Sequence, residues 1–202
     1  MITFDLRKRK IRGWKRRAKK IERWKNAYME LDKKALAAYD RDYVKVWIAP
    51  FFSLQKHTLP FWYKRLVIEA LLEIYASWKQ TMDTFDEPYY LKVWVFEKEF
   101  MSSQVVVSAR SYLHFYDQTF EGLKPVGALP DGMMVEAAKG LDWEQGIDVA
   151  AWFERELQED LQSELYSQEE IQAIRESAYR VIEYNEDLIY LIKNDTVWVG
   201  GQ

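Results

Sequence analysis

The stretch FWYKRLVIEALLEIYASWKQ, residues 61–80, constrains the fold most because it is apolar on nearly every side of a helix. Its polar residues form only a thin line, made up of Arg65, Glu69, Glu73 and Gln80. A helix of this kind must be buried around most of its circumference. We therefore predict a central core helix here, with Thr58 as its N-cap and Pro60 in its first turn.

The chain has the length and the apolar content to surround such a helix. It has 202 residues, of which 49% are hydrophobic and 16% aromatic, enough for a single domain with a substantial core. The absence of cysteine excludes disulfides and thiolate chemistry and is typical of a reducing cytoplasm. No segment is apolar enough to span a bilayer, and we find no signal peptide. We predict a cytoplasmic protein.

Residues from about Asp5 to about Asp40 have the periodicity of one long amphipathic helix. Its apolar stripe consists of Ile11, Trp14, Ala18, Ile21, Trp24, Tyr28, Leu31, Ala35 and Tyr39. Basic residues occupy most of the opposite side. We expect the stripe, including both tryptophans, to pack on the core helix.

Strand patterns follow the core helix. Alternating, β-branched and aromatic residues predict a hairpin of Tyr89 to Glu97 with Gln104 to Phe115. The prolines of VKVWIAPFFSLQKHTLP, residues 44–60, indicate an irregular connection. Glycine and proline in residues 121–147 indicate a loop that could divide the domain into two subdomains. We find no internal repeat.

The C-terminal third is predicted to contain two helices and a small sheet. An acidic amphipathic helix starts near Val149 and carries Glu154, Glu156, Glu159, Asp160 and Glu164. A capping box of Ser167 and Glu170 opens a shorter helix that extends to about Tyr179. Turn signals then divide the remaining residues into an antiparallel meander. Together these elements predict the α+β class, with helices packed on an antiparallel sheet.

Charge is distributed unevenly along the chain. The net charge is −3, but residues 7–25 carry +11 and residues 131–190 carry −12. The basic run could face solvent, the acidic third of the same chain, a nucleic acid or a membrane surface. Because the apolar stripe continues where the basic residues end, we favour packing on the core over membrane binding.

A nucleic-acid surface is one interpretation of the basic run, since clustered cations neutralise phosphates. The candidate residues are Arg12, Lys15, Arg16, Lys19, Lys20 and Arg23. No helix-turn-helix, zinc finger or RNP motif accompanies them, and a pI near 5.6 argues against a dedicated nucleic-acid binder. An acidic surface could instead meet a basic protein partner, as in an inhibitor or immunity protein.

A ligand pocket or active site is the third possibility. Only two histidines are present, which limits acid-base and metal chemistry. Polar residues of the core helix and of the second hairpin strand form the candidate pocket: Arg65, Glu69, Tyr112 and His114. Glu156, Asp160 and Glu164 share one helix face, but without further oxygen ligands we predict no metal site. No phosphate-binding loop or other cofactor motif is present, so we predict no cofactor.

The segments KIRGWKRRAKKIERW, KVWVFEKEFMSSQVVVSARSYLHFYDQTF and LPDGM resemble a family of small uncharacterised bacterial proteins, domain of unknown function 3916. The resemblance covers roughly the first two thirds of the chain. It implies no activity and assigns no functional residue.

These patterns favour a non-catalytic interaction or accessory protein, of inhibitor or immunity type. The alternatives are a nucleic-acid-associated protein that uses Arg7 to Lys25, and an enzyme or small-ligand binder with a pocket near Arg65. No partner or oligomeric state follows from the sequence.

Overall fold

A computed structural model of the chain describes residues 14–37, 43–48, 60–97, 100–109, 123–147, 167–176, 179–184, 187–192 and 196–202. It contains helices and a six-stranded antiparallel sheet, and the α+β prediction is confirmed.

Helix α3, Phe61–Met82, is the predicted core helix. Val67, Ile68, Leu71 and Ile74 have no exposed surface, which confirms that the helix is buried. Pro60 is its N-cap residue and makes no side-chain capping bond, so it precedes the first turn. Its fixed φ suits it to the start of a helix. Thr58, the predicted cap, lies outside the described residues.

The predicted long N-terminal helix is wrong as a single element. Helix α1 spans Trp14–Tyr28, and a separate short helix α2 spans Lys33–Ala37. Asp32 starts α2, because its Oδ1 accepts hydrogen bonds from the backbone N–H groups of Lys34 and Ala35 at 3.0 and 3.1 Å.

Tertiary hydrogen bonds satisfy the carbonyl groups at the end of α1. Trp78 Nε1 donates to the Tyr28 carbonyl at 2.9 Å, and Ser77 Oγ donates to the Met29 carbonyl at 2.7 Å. These carbonyls would otherwise lack intrahelical partners. Core helix α3 therefore fixes where α1 ends.

The large sheet has the strand order β1-β3-β2-β8-β5-β4, with every pair antiparallel. Its strands are β1 Tyr43–Trp47, β2 Tyr89–Phe96, β3 Gln104–Ala109, β4 Lys124–Val126, β5 Asp142–Ile147 and β8 Thr196–Gly201. Strands β2 and β3 confirm the predicted hairpin as far as Ala109. Short 3₁₀ helices occupy Phe100–Ser102 and Glu136–Gly140.

Two segments that the sequence predicts to be irregular contain strands. The predicted connection at residues 44–60 begins in β1, and the predicted loop at residues 121–147 contributes β4 and β5. Prolines in the first segment, and prolines and glycines in the second, favour the prediction of irregular structure, although the alternation YVKVW of β1 is a typical strand pattern. Pro125 lies in β4, at the outer position of the described sheet, where a missing N–H is tolerated.

The C-terminal region confirms one prediction and corrects another. Helix α4, Gln168–Glu176, follows the predicted capping box, in which Glu170 N donates to Ser167 Oγ and Ser167 N donates to Glu170 Oε2. The helix is described as far as Glu176 and does not include Tyr179, where a strand begins. The acidic helix predicted from Val149 lies outside the described residues.

The predicted C-terminal meander is confirmed for its first two strands and is wrong for its third. Strands β6 Tyr179–Tyr184 and β7 Asp187–Ile192 pair in a two-stranded sheet of their own. The last strand, β8, instead inserts between β2 and β5 of the large sheet.

The two faces of the large sheet bury separate sets of side chains. Alternation along the strands places Val93, Val105 and Val107 on the face that packs against α3. The intervening residues, among them Val106 and Trp94, are also buried but lie outside that cluster. The central strands β2 and β3 are therefore buried on both faces.

Candidate functional site

The basic face of α1 is the first candidate site, and it comprises Lys15, Arg16, Lys19, Lys20 and Arg23. At 3.6 residues per turn these residues fall within an arc of about 140°, and Lys15 to Arg23 extend about 12 Å along the helix. All five are exposed. Arg12, which the sequence assigns to the same surface, lies outside the described residues.

The opposite side of α1 fixes the helix to the core. Ile21 and Trp24 are buried, as predicted. Lys25 Nζ bonds Glu73 of α3 at 2.6 Å and Glu22 at 2.9 Å. Burial lowers the pKa of Lys25, but the hydrogen bonds and charges of these two carboxylates outweigh it, so the net pKa is raised. Lys25, which lies outside the basic face, is thus paired with carboxylates of the protein.

Helices α1 and α3 run parallel. The Arg17 guanidinium lies 5.9 Å from the Tyr63 ring centroid, and farther along both helices Lys25 bonds Glu73. Packing along this length holds the backbone of α1 in place and leaves the basic face pointing away from α3.

Most of the basic face is not neutralised by the protein. Within the part of the chain that the structure describes, Lys15, Arg16, Lys19 and Arg23 form no ion pair with a carboxylate. Arg23 Nε donates to the Lys19 carbonyl at 3.4 Å, a weak contact that leaves both charges uncompensated. Pairing with the acidic third, one of the possibilities for the basic run, is therefore not observed for these four residues in the described part of the chain.

Two aromatic residues of the predicted apolar stripe are exposed. Trp14 is 40% exposed and Tyr28 is 43% exposed, so the prediction that Trp14 faces the core is wrong. They are the first and last residues of α1. Trp14 adds an accessible aromatic surface at the N-terminal end of α1.

Half of the predicted ligand pocket can be located. Arg65 and Glu69 are half-buried on α3, whereas Tyr112 and His114 lie outside the described residues. Burial raises the pKa of Glu69, the Arg65 charge lowers it and the Glu73 charge raises it, so the net pKa is raised. In the described region Arg65 Nε has no hydrogen-bond partner. Among the described residues, no salt bridge joins Arg65 to Glu69.

An exposed network closes the C-terminal end of α3. Lys79 Nζ bonds both carboxylate oxygens of Asp83, at 2.9 and 3.1 Å, and the Tyr89 hydroxyl donates to the same carboxylate. Hydrogen bonds from Tyr89 and Lys79 lower the pKa of Asp83. Because all three side chains bond one another, the network joins the end of α3 to β2.

A second candidate site lies on the sheet face opposite α3. The pentapeptide YVKVW of β1 recurs as YLKVW at residues 90–94 of β2, a short repeat that our sequence analysis missed. Both copies flank β3 in the same register. Tyr43 and Tyr90 oppose Ser108, Lys45 and Lys92 oppose Val106, and Trp47 and Trp94 oppose Gln104. We call these nine residues the Tyr-Lys-Trp face.

The Tyr-Lys-Trp face combines deep burial with polar groups. Ser108 is 1% exposed and Gln104 is 7% exposed. In the described region Gln104 Oε1, Ser108 Oγ and Trp47 Nε1 are buried and have no hydrogen-bond partner. An unsatisfied buried polar group costs about 1–3 kcal/mol. Such groups need an explanation, because nearly all buried polar atoms in proteins are paired.

Two lysines lie on this face, and one of them, Lys45, lies over aromatic rings. Lys45 Nζ is 4.5 Å from the Trp47 ring centroid and 5.2 Å from the Tyr43 centroid. Lys92 lies over Gly201 of β8, where an added Cβ would come within 2.5 Å of its Cδ. The face therefore presents aromatic surface, cationic groups and unmet hydrogen bonds together.

The described residues contain no group of three or more histidine and acidic side chains placed to hold a metal ion. Their helices are too short or too polar to cross a membrane.

Comparisons with known proteins give no identification. No family model, curated protein sequence or solved structure matches the chain. The resemblance to domain of unknown function 3916 stays a prediction.

Proposed function

We propose that this protein is a non-catalytic accessory protein that associates with nucleic acid through the basic face of α1. The observation that carries the proposal is the exposure of Lys15, Arg16, Lys19 and Arg23 on a fixed helix, without a carboxylate partner in the described region. The proposal includes a cytoplasmic location, which suits this role.

A fixed cationic surface is suited to phosphate binding for two reasons. The cations release condensed counterions when they contact phosphates, which provides affinity without reading the base sequence. Because Ile21, Trp24 and the Lys25–Glu73 pair already hold α1, binding does not require the helix backbone to be ordered first. Exposed Trp14 could add base stacking to single strands.

The expected binding is strongly dependent on salt. If each of the four cations neutralises one phosphate, log Kobs falls against log salt with a slope of about −2.8 for single strands and about −3.6 for duplex DNA. Affinity then falls about 50-fold for single strands and about 150-fold for duplexes between roughly 50 and 200 mM salt.

Fluorescence anisotropy with labelled single-stranded and duplex oligonucleotides tests this proposal. The quadruple variant Lys15→Gln, Arg16→Gln, Lys19→Gln, Arg23→Gln should bind weakly and with a slope close to zero. Glutamine preserves helix propensity, so α1 remains intact. The matched control removes four positive charges elsewhere, through Lys33→Gln, Lys34→Gln, Lys124→Gln and Lys139→Gln.

Three outcomes would contradict the proposal. The first is no binding by the unmodified protein at low salt, and the second is an equal loss of binding in the control variant. The third is equal affinity for polyglutamate with the same salt slope, which would favour an acidic protein partner and hence the interaction-module alternative.

A further inference from the structure

We propose that the Tyr-Lys-Trp face binds a small planar organic anion at the end formed by Trp47, Gln104 and Trp94. This site is distinct from the basic face of α1, because α1 packs on α3 and α3 covers the other face of the sheet. It therefore goes beyond the proposed function.

The unmet hydrogen bonds define one part of the ligand. Gln104 Oε1 needs a donor, and Trp47 Nε1 needs an acceptor. The two residues are directly opposite on neighbouring strands, so their backbones are about 5 Å apart. A ligand edge that carries an N–H beside a carbonyl or ring nitrogen satisfies both atoms. Heterocycles such as nucleobases have such an edge.

The neighbouring side chains define the shape and charge of the ligand. Trp47 and Trp94 stand on either side of Gln104, and indole rings favour a planar partner. Lys45 Nζ, 4.5 Å from the Trp47 ring centroid, places a positive charge beside the same position. A negatively charged substituent on the ring, either phosphate or carboxylate, complements that charge.

The exposure pattern provides a route to the site. Lys45 and Trp47 are half-buried on β1, the outer strand of the described sheet, whereas Gln104 and Trp94 are buried farther in. A ligand that enters at β1 would meet Lys45 first and Gln104 at greater depth.

Isothermal titration and thermal-shift measurements on the full chain test the proposal. The planar anions to be tested are uridine monophosphate and adenosine monophosphate, which carry a phosphate, and orotate, which carries a carboxylate. Comparing them shows which anionic group the site prefers. Uridine and adenosine lack the negative charge, and inorganic phosphate lacks the ring. These three compounds therefore test whether binding needs both. At least one planar anion should bind one-to-one and raise the Tm, with its neutral or ring-free counterpart at least about tenfold weaker.

Gln104 and Ser108 each have a buried polar atom without a hydrogen-bond partner in the described region, so variants at the two positions form a matched pair. Gln104→Met should weaken binding at least about tenfold and leave the Tm of the ligand-free protein unchanged or higher, because it removes an unsatisfied atom. Ser108→Ala removes another such atom at the far end of the face and should leave Kd within about twofold. The quadruple α1 variant should also leave Kd unchanged.

Any of four results would overturn the proposal. They are no binding by any of the planar anions, equal binding of the neutral analogues, an equal effect of Ser108→Ala and Gln104→Met on Kd, or a lower ligand-free Tm in Gln104→Met. The last result would mean that the Gln104 amide is satisfied without a ligand. Loss of binding in the α1 variant would assign the ligand to the basic face instead.

Discussion

Substitution of Gly200 by alanine tests how closely β8 is packed in the sheet. A Cβ at this position would lie 2.7 Å from Trp143 Cη2, 2.7 Å from Cζ3 and 2.9 Å from Cε3. Ordinary contacts are 3.4 Å or longer, so the ring would have to retreat by about 0.7 Å. Trp143 is buried, and its Nε1 donates to the Ala138 carbonyl at 2.8 Å. The ring is therefore held from two sides.

The expected cost of Gly200→Ala follows from two opposing terms. Overpacking of a filled core costs about 1–3 kcal/mol. Alanine also has less conformational freedom than glycine in the unfolded chain, which stabilises the folded state by about 0.4–1 kcal/mol. The free energy of unfolding should thus fall by about 1–2 kcal/mol, which lowers the Tm by roughly 2–8 °C for a chain of this length.

Urea denaturation, followed by tryptophan fluorescence, measures this change at constant m-value. Gly127→Ala is the matched control, because no atom lies within 4 Å of a Cβ built there. Trp143→Phe removes part of the obstructing ring, so the double variant should be more stable than additivity predicts by about 1 kcal/mol. Equal effects at Gly200 and Gly127, or strict additivity with Trp143→Phe, would refute the packing argument.

Three further predictions concern single contacts. Glu69→Gln should stabilise the protein by less than about 1 kcal/mol at pH 7. The pKa of Glu69 is raised in the folded state, so the folded protein loses stability as Glu69 ionises. Chemical denaturation at pH 7 and near pH 3.5 should therefore show the gain only at the higher pH. Ser167→Ala removes the hydroxyl that caps α4 through Glu170 and should lower the local opening free energy of α4 by about 1 kcal/mol in hydrogen exchange. Trp78→Phe loses the indole bond to Tyr28 and part of the ring volume, and thermal unfolding should show a loss of about 1–3 kcal/mol.

Local sequence patterns predicted the type of several elements correctly. The nearly continuous apolar surface of residues 61–80 indicates the buried helix α3, because no exposed helix could retain it. The alternation after Tyr89 indicates the β2–β3 hairpin, and Ser167 with Glu170 indicates the start of α4. Each of these signals lies within a short stretch of sequence, where residue spacing alone determines which side chains share a face.

The two candidate sites differ in how far the sequence predicts them. The basic face of α1 follows from the spacing of Lys15, Lys19 and Arg23, and only the structure shows that these cations lack a carboxylate partner in the described region. The Tyr-Lys-Trp face was missed because its two copies are 47 positions apart along the chain. They become neighbours of β3 only when the strands pair.

Sequence by itself determined that this chain has a buried helix, an amphipathic basic helix and antiparallel strands, because each depends on local periodicity. Tertiary structure alone decided that α1 ends at Tyr28, where Trp78 and Ser77 meet its last carbonyls. It also decided that β8 leaves its neighbour β7 and inserts between β2 and β5. The physical reason is that strand partners are chosen by which faces they bury together, and no local pattern contains that information.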